Sequence, residues 1–226
     1  MSAMPFYPMF LNLARVPVLV VGGGAVAVRK VTKLLAAHAT VTAVATSFCP
    51  EFLALQKRAK KYGGLRLVRQ AFRSDYLKNQ RIVFAATDDP PLNTRIADIC
   101  KQRGILVNVA APSNAGNFHV PAIIRRGQFC IAVSTGGASA HLAQHWRRRL
   151  EKQIGPEWSA LTAMLAVKRR QVLARTADVA LRKQILVALS QPKFAALIRR
   201  DSVAAASRTM DRLISRLLLA AAGEQR

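Results

Sequence analysis

The segment Val20-Val21-Gly22-Gly23-Gly24-Ala25-Val26-Ala27 carries the most specific chemistry in the chain. A β-branched run over residues 16–21 ends in three glycines, and helical spacing follows over residues 26–37. Gly22, Gly24 and Ala27 fit the G-x-G-x-x-G/A pattern. Gly22 permits a tight turn, Gly24 lets the backbone approach a pyrophosphate that a side chain would exclude, and Ala27 lets the helix pack on the strand. The first N–H groups of that helix have no partners within it and aim, with the positive end of its dipole, at the same place. Gly22, Gly23, Gly24, Ala25 and Val26 are therefore the candidate cofactor-binding residues, and a dinucleotide is the candidate cofactor.

Other residues gather near the same rim. Dinucleotide folds usually carry Asp or Glu about 20 residues further on, to accept the ribose hydroxyls. Here the second strand runs into Thr46 and Ser47, which are placed to hydrogen-bond the ribose and leave NAD and NADP both open. Thr87, Asp88 and Asp89 follow the fourth strand, where open α/β sheets bind ligands; the acids either cap the next helix or shape the cofactor pocket. Asn108 closes the fifth strand on that rim and is placed to orient a substrate or a nicotinamide amide. His119, in the loop beyond, is either a structural histidine or a base that takes a proton near neutral pH. His141 and His145 lie four apart on a helical pattern with no third ligand in sight, so no metal site is expected. Three scattered cysteines read as reduced thiols of a cytoplasmic protein.

The elements that must position these groups alternate. Strands at residues 16–21, 39–45, 65–69, 81–86 and 105–110 are separated by helices at 26–37, 51–62 and 91–103. Short links between alternating strands and helices predict an α/β fold with a Rossmann-like parallel sheet. Residues 111–117 read as a loop and 128–134 as a further strand with no place in that sheet. Ser139 is placed to cap a helix over 140–153, and the chain from Pro156 is helical with breaks near Thr176, 190–192 and Asp201.

With 226 residues, 51% of them apolar, the chain can build one large core or two small ones, and a disordered composition is excluded. No apolar run reaches the length of a membrane span, and residues 1–11 lack the basic start and cleavage site of a signal peptide, so no membrane association is expected. The net charge is +24, of which +11 falls in residues 1–117 and +13 after them. Such a diffuse field is either a solvated basic surface or a lure for polyanions: nucleic acid, anionic lipid or a substrate with many carboxylates. Nucleic acid is the disfavoured partner, because aromatics make up only 6% of the chain and none interleave with the arginine clusters.

Several stretches in register, PMFLNLARVPVLVVGGGAV from Pro8, Arg29-Lys30, AATDDPPLN from Ala85, Val107–Val109, NFHVPAII from Asn117 and VSTGGAS from Val133, resemble the precorrin-2 dehydrogenases and the dehydrogenase part of siroheme synthase. The resemblance implies three parts: a Rossmann domain over 1–117, a small dimerisation segment over 118–155 and a C-terminal helical domain over 156–226. It implies a homodimer that passes a hydride from precorrin-2 to NAD, making sirohydrochlorin for siroheme. The small-molecule tetrapyrrole carries eight carboxylates, which Arg125 and Arg126 would attract, while Thr135 would touch the macrocycle; Asn108 and His119 become the candidate catalytic residues. Bifunctional members place Asp three residues after the strand-five Asn, and Ala111 stands there in this chain. That departure speaks against iron insertion before it touches dehydrogenation. It also keeps open a catalytically silent tetrapyrrole-binding relative, alongside a basic Rossmann-like nucleic-acid-binding protein.

Overall fold

The structure, a computed structural model, describes residues 6–59 and 64–223. It divides into two compact units, Met1–Val120 with Gly136–Ala138, and Pro121–Thr135 with Ser139–Arg226.

The first unit is a parallel sheet wound by helices. In chain order it comprises β1 (Pro17–Val21), α1 (Ala25–Ala36), β2 (Thr40–Ala45), α2 (Pro50–Ala59), β3 (Leu65–Arg69), a 3-10 turn at Ser74–Leu77, β4 (Ile82–Ala85), α3 (Pro90–Gln102) and β5 (Leu106–Val109). The strands lie in the order β3-β2-β1-β4-β5, all parallel, so the winding reverses between β1 and β4. Both faces of β1 and β4 are covered, which is why they read as unbroken apolar runs. Strand alternation sorts the core into two layers. Val18 and Val20 pack with Ala27, Val31 and Leu34 of α1 and Phe52 of α2, whereas Leu19 and Val21 pack with Ile96, Ala97 and Cys100 of α3. Each fully buried Leu, Ile or Phe in these layers contributes roughly 1.5–3 kcal/mol.

The edge of β5 is closed by one residue. The Asn117 side chain accepts the Val107 N–H at 2.7 Å and donates to the Ile105 carbonyl at 3.1 Å, while its own N–H donates to the Val107 carbonyl at 2.9 Å. Gly116 has to be glycine for this approach, because a Cβ there would stand 2.8 Å from that carbonyl. Bonds that a sixth strand would supply come from a loop, and the edge is protected.

In the second unit β6 (Ala122–Arg126) and β7 (Phe129–Val133) form an antiparallel hairpin. The extra strand at 128–134 thus stays out of the large sheet, as the spacing predicts. Its partner β6 was not anticipated, since Ala122-Ile123-Ile124 is too short an apolar run before two arginines to announce a strand. Gly127, at φ +59°, supplies the positive angle that the two-residue turn demands. Beyond the hairpin, Ser139 caps α4 (Ala140–Glu151) by accepting the Leu142 N–H at 3.1 Å. Then come α5 (Glu157–Arg175), α6 (Val179–Leu189), α7 (Lys193–Arg200) and α8 (Val203–Gly223), broken where the sequence indicates. They bury Leu161, Val172, Ile185, Leu189, Phe194, Met210 and Ile214 between them. Lys168, within the basic run at 168–170, is buried and paired with both Asp211 oxygens at 2.7 Å. Residues 60–62 of the helix expected over 51–62, and 1–5 of the N-terminal stretch, lie outside the described residues. Among the described residues no helix is long and apolar enough to cross a membrane.

Candidate functional site

The three glycines after β1 have three different physical reasons. Gly22 sits at φ +132°, and a Cβ there would collide with the Ala86 carbonyl after β4. Gly23 is closed in by the Ser47 carbonyl after β2, and its own carbonyl accepts the Cys49 N–H at 2.9 Å. Gly24 is extended, caps α1 without a side-chain bond, and a Cβ built on it meets nothing within 4 Å. The protein therefore does not explain Gly24; the space in front of it does. Gly24, Ala25 and Val26 are exposed, and the unpartnered N–H groups of the first turn of α1 open toward that space. The cradle fits a pyrophosphate, which the N–H groups and the helix dipole would hold.

Around this turn the rim residues fall into two groups. Thr46, Ser47 and Asp88 are exposed and face solvent. Thr87 is engaged: its hydroxyl donates to the Asn93 amide oxygen at 2.7 Å, and its N–H reaches the same oxygen at 3.2 Å. Asn93, fully buried on α3, returns two bonds, to the Thr87 carbonyl at 3.1 Å and the Ala111 carbonyl at 3.0 Å. It thus ties the turn after β4 to the turn after β5. Asp89 takes the capping role, accepting the Leu92 N–H at 3.0 Å with Pro90 at the first helical position.

Asn108 faces the α1 side of the sheet and is nearly buried. Its oxygen accepts the Lys30 ammonium at 2.6 Å and its amide donates to the Phe118 carbonyl at 3.0 Å. Lys30 reaches there from α1 across the Phe84 ring, 5.2 Å from its centroid. Burial, reinforced by the like charges of Lys33 and Arg29, brings its pKa down to about 8. His119 follows Phe118, so the loop bond of Asn108 also seats the histidine. The imidazole packs 4.3 Å from the Phe6 ring on one side, and Gly137 has no room for a Cβ, which would lie 2.6 Å from Cε1. Asn108, on β5, thus anchors the loop that carries His119, with Lys30 reaching in from α1.

The remaining candidates lie in the second unit. The Thr135 hydroxyl donates to the Ser139 carbonyl at 3.0 Å and accepts its N–H at 3.0 Å, holding the start of α4. Arg126 donates to the Ile154 carbonyl at 3.0 Å and lies 3.5 Å from Glu151, stapling the hairpin to the end of α4. Arg125 is exposed. No group of three His, Cys, Asp or Glu able to hold a metal occurs among the described residues.

Sequence reasoning missed Lys30 and Asn93 as members of this site. Both interrupt apolar helical stripes: Lys30 beside Ala27, Val31 and Leu34, and Asn93 ahead of Ile96, Ala97 and Cys100. A polar residue on a core-facing stripe is the signal that would have found them.

A family model described as "Putative NAD(P)-binding" matches residues 9–122. Among similar proteins, the siroheme synthase of Thioalkalivibrio sulfidiphilus (strain HL-EbGR7) is 36% identical over 211 residues, 93% of this chain and 42% of that protein. The siroheme synthase of Chromobacterium violaceum is 35% identical over 212 residues, 94% of this chain and 44% of that protein. The chain thus spans less than half the length of these relatives. A solved structure titled "SirC, precorrin-2 dehydrogenase" superposes with a TM-score of 0.75 at 24% identity, covering 93% of this chain and 100% of that one, a likeness of fold.

Proposed function

The chain belongs to the NAD(P)-binding family whose model it matches, and on that premise we propose that it is a precorrin-2 dehydrogenase, oxidising precorrin-2 to sirohydrochlorin with NAD⁺. The observation that carries the reading is Gly24, open in front of a helix N-terminus at the reversal of a parallel sheet. Likeness to a siroheme synthase, 36% identical over 93% of the chain, supports a tetrapyrrole as the substrate class.

When bound, the nicotinamide supplies the hydride acceptor. The protein's own part is positioning and proton handling. Gly22 and Gly23 shape the turn, and Gly24, Ala25 and Val26 hold the pyrophosphate. Thr46 and Ser47 meet the adenosine ribose, and Thr87 and Asp88 line the rim after β4. Asn108, clamped by Lys30, fixes the loop that presents His119, and His119 takes the proton released as the macrocycle is oxidised. Geometry of this kind supplies several kcal/mol of barrier reduction, while a general base adds about 10²–10⁴-fold. Arg125 meets substrate carboxylates; Arg126 and Thr135 hold the hairpin and helix that present it.

Iron insertion is assigned no residue, since Ala111 stands where a bifunctional relative has its carboxylate. We further propose a cytoplasmic homodimer joined through residues 118–155, flanked by the Rossmann domain at 1–117 and the helical domain at 156–226. Anaerobic incubation with precorrin-2 and NAD⁺ tests the reading. NADH and the sirohydrochlorin spectrum should appear together; tetrapyrrole binding without NADH would reduce the protein to a carrier.

A further inference from the structure

The adenosine end of the cradle lacks the group that would confine it to an unphosphorylated ribose. β2 ends at Ala45, and Thr46 and Ser47 follow where NAD-selective sites place a carboxylate. A carboxylate there accepts the ribose hydroxyls and repels a 2′-phosphate; neutral hydroxyls hydrogen-bond to either.

A cation stands beside them. Arg69 is the last residue of β3 and pairs in register with Ala45. Register partners on neighbouring strands project from the same face. Leu65 and Leu67, which alternate with Arg69, pack with Val41 and Ala43 in the core layer beneath α1 and α2. Ala45 in turn abuts the cradle, since a Cβ on Gly23 would lie 3.0 Å from its own. Arg69 therefore sits on the nucleotide face of the sheet, two strands out from β1. It is exposed and enters none of the ion pairs among the described residues. The acid nearest in sequence to Thr46, Glu51 in the first turn of α2, is held below the usual carboxylate range by its own backbone N–H and the Cys49 thiol.

We propose that this end of the site accepts a 2′-phosphorylated dinucleotide as readily as an unphosphorylated one, with Arg69 pairing the phosphate and Thr46 and Ser47 hydrogen-bonding beside it. The inference rests on the dinucleotide reading above, and binding measurements separate the two. NADH and NADPH are titrated by fluorescence against the full chain and its Arg69→Glu and Thr46→Asp variants. NADPH should bind the wild type no more than fivefold weaker than NADH. Each variant should raise the ratio of NADPH to NADH dissociation constants at least tenfold, Arg69→Glu by removing the cation and Thr46→Asp by restoring the missing carboxylate. NADPH binding more than fivefold weaker than NADH, or a ratio that both variants leave within threefold of wild type, overturns the proposal while the dinucleotide reading stands. Failure of both nucleotides to bind a folded wild type sinks that reading and the proposal with it.

Discussion

Lys30 is the most exacting test of the site, because its structure implies two opposed energies of known sign. Lys30→Met keeps much of the volume and removes the ammonium. The Asn108 oxygen, which accepts that ammonium at 2.6 Å, then loses its donor, at a cost of about 1–3 kcal/mol. Against this, a pKa lowered from 10.5 to about 8 means that the wild type carries a charge it would rather shed. At about 1.4 kcal/mol per pH unit this is worth up to about 3 kcal/mol, and about half that once the side chain's partial exposure is allowed for. Near pH 7.5 the two nearly cancel. They separate with pH. A lysine whose folded pKa is depressed costs stability below that value, and the cost disappears as pH rises toward the unfolded value. Wild type should therefore gain on Lys30→Met between pH 7.5 and 9.5, by about 2 kcal/mol for the full shift and about 1 kcal/mol after the same allowance. Urea melts of both proteins at the two pH values measure this, since every other titrating group is common to them. A difference flat to about 0.3 kcal/mol across the interval would show that the Lys30 ammonium is not held away from water as the geometry requires.

Three further outcomes follow from the same contacts. Gly24→Ala should stay folded, its melting temperature within about 4 °C of wild type, yet lose at least tenfold in NADH affinity; Gly23→Ala, forced against the Ser47 carbonyl, should lose about 2 kcal/mol or more of stability. Circular dichroism melts with NADH titration distinguish them, and a Gly24→Ala protein that binds NADH normally would remove the case for the cradle. Asn93→Ala strips partners from the Thr87 N–H and from the Thr87 and Ala111 carbonyls, so chemical denaturation should register a loss of about 2–3 kcal/mol. Cys100, fully buried with its pKa raised to about 11, should resist a thiol reagent in the native protein at pH 8 while Cys49 and Cys130 react, and three equally fast thiols would contradict the core packing of α3.

The strand and helix order was legible because each element announces its period. Unbroken apolar runs marked the covered strands, and the glycine turn marked the first crossover. The caps at Asp89 and Ser139 and the breaks at Thr176 and Asp201 mark their ends by the same chemistry in sequence and structure. What the sequence hid was pairing. β6 is only two residues from β7, yet Ala122-Ile123-Ile124 before two arginines carries no strand period of its own, and the Asn117 clamp on β5 exists because a sheet edge needs partners. Each is a relation between two segments that the pattern of either segment alone does not show.

The site shows a subtler division between what a side chain can do and what it is already doing. The polar groups of Thr87, Asn108, Thr135 and Arg126 are all capable of meeting a ligand. Each is bonded within the fold, Thr87 to Asn93, Asn108 to Lys30 and Phe118, Thr135 to Ser139, and Arg126 to Ile154 and Glu151. Recruiting one for substrate means giving up bonds worth about 0.5–1.5 kcal/mol apiece, and up to about 3 where a charge is involved. Thr46, Ser47, Asp88 and Arg125 are exposed and face no such exchange. Affinity for cofactor and substrate should therefore respond most steeply to changes at this second set, and the first set should show its importance as stability and as the precision with which His119 and the rim are held.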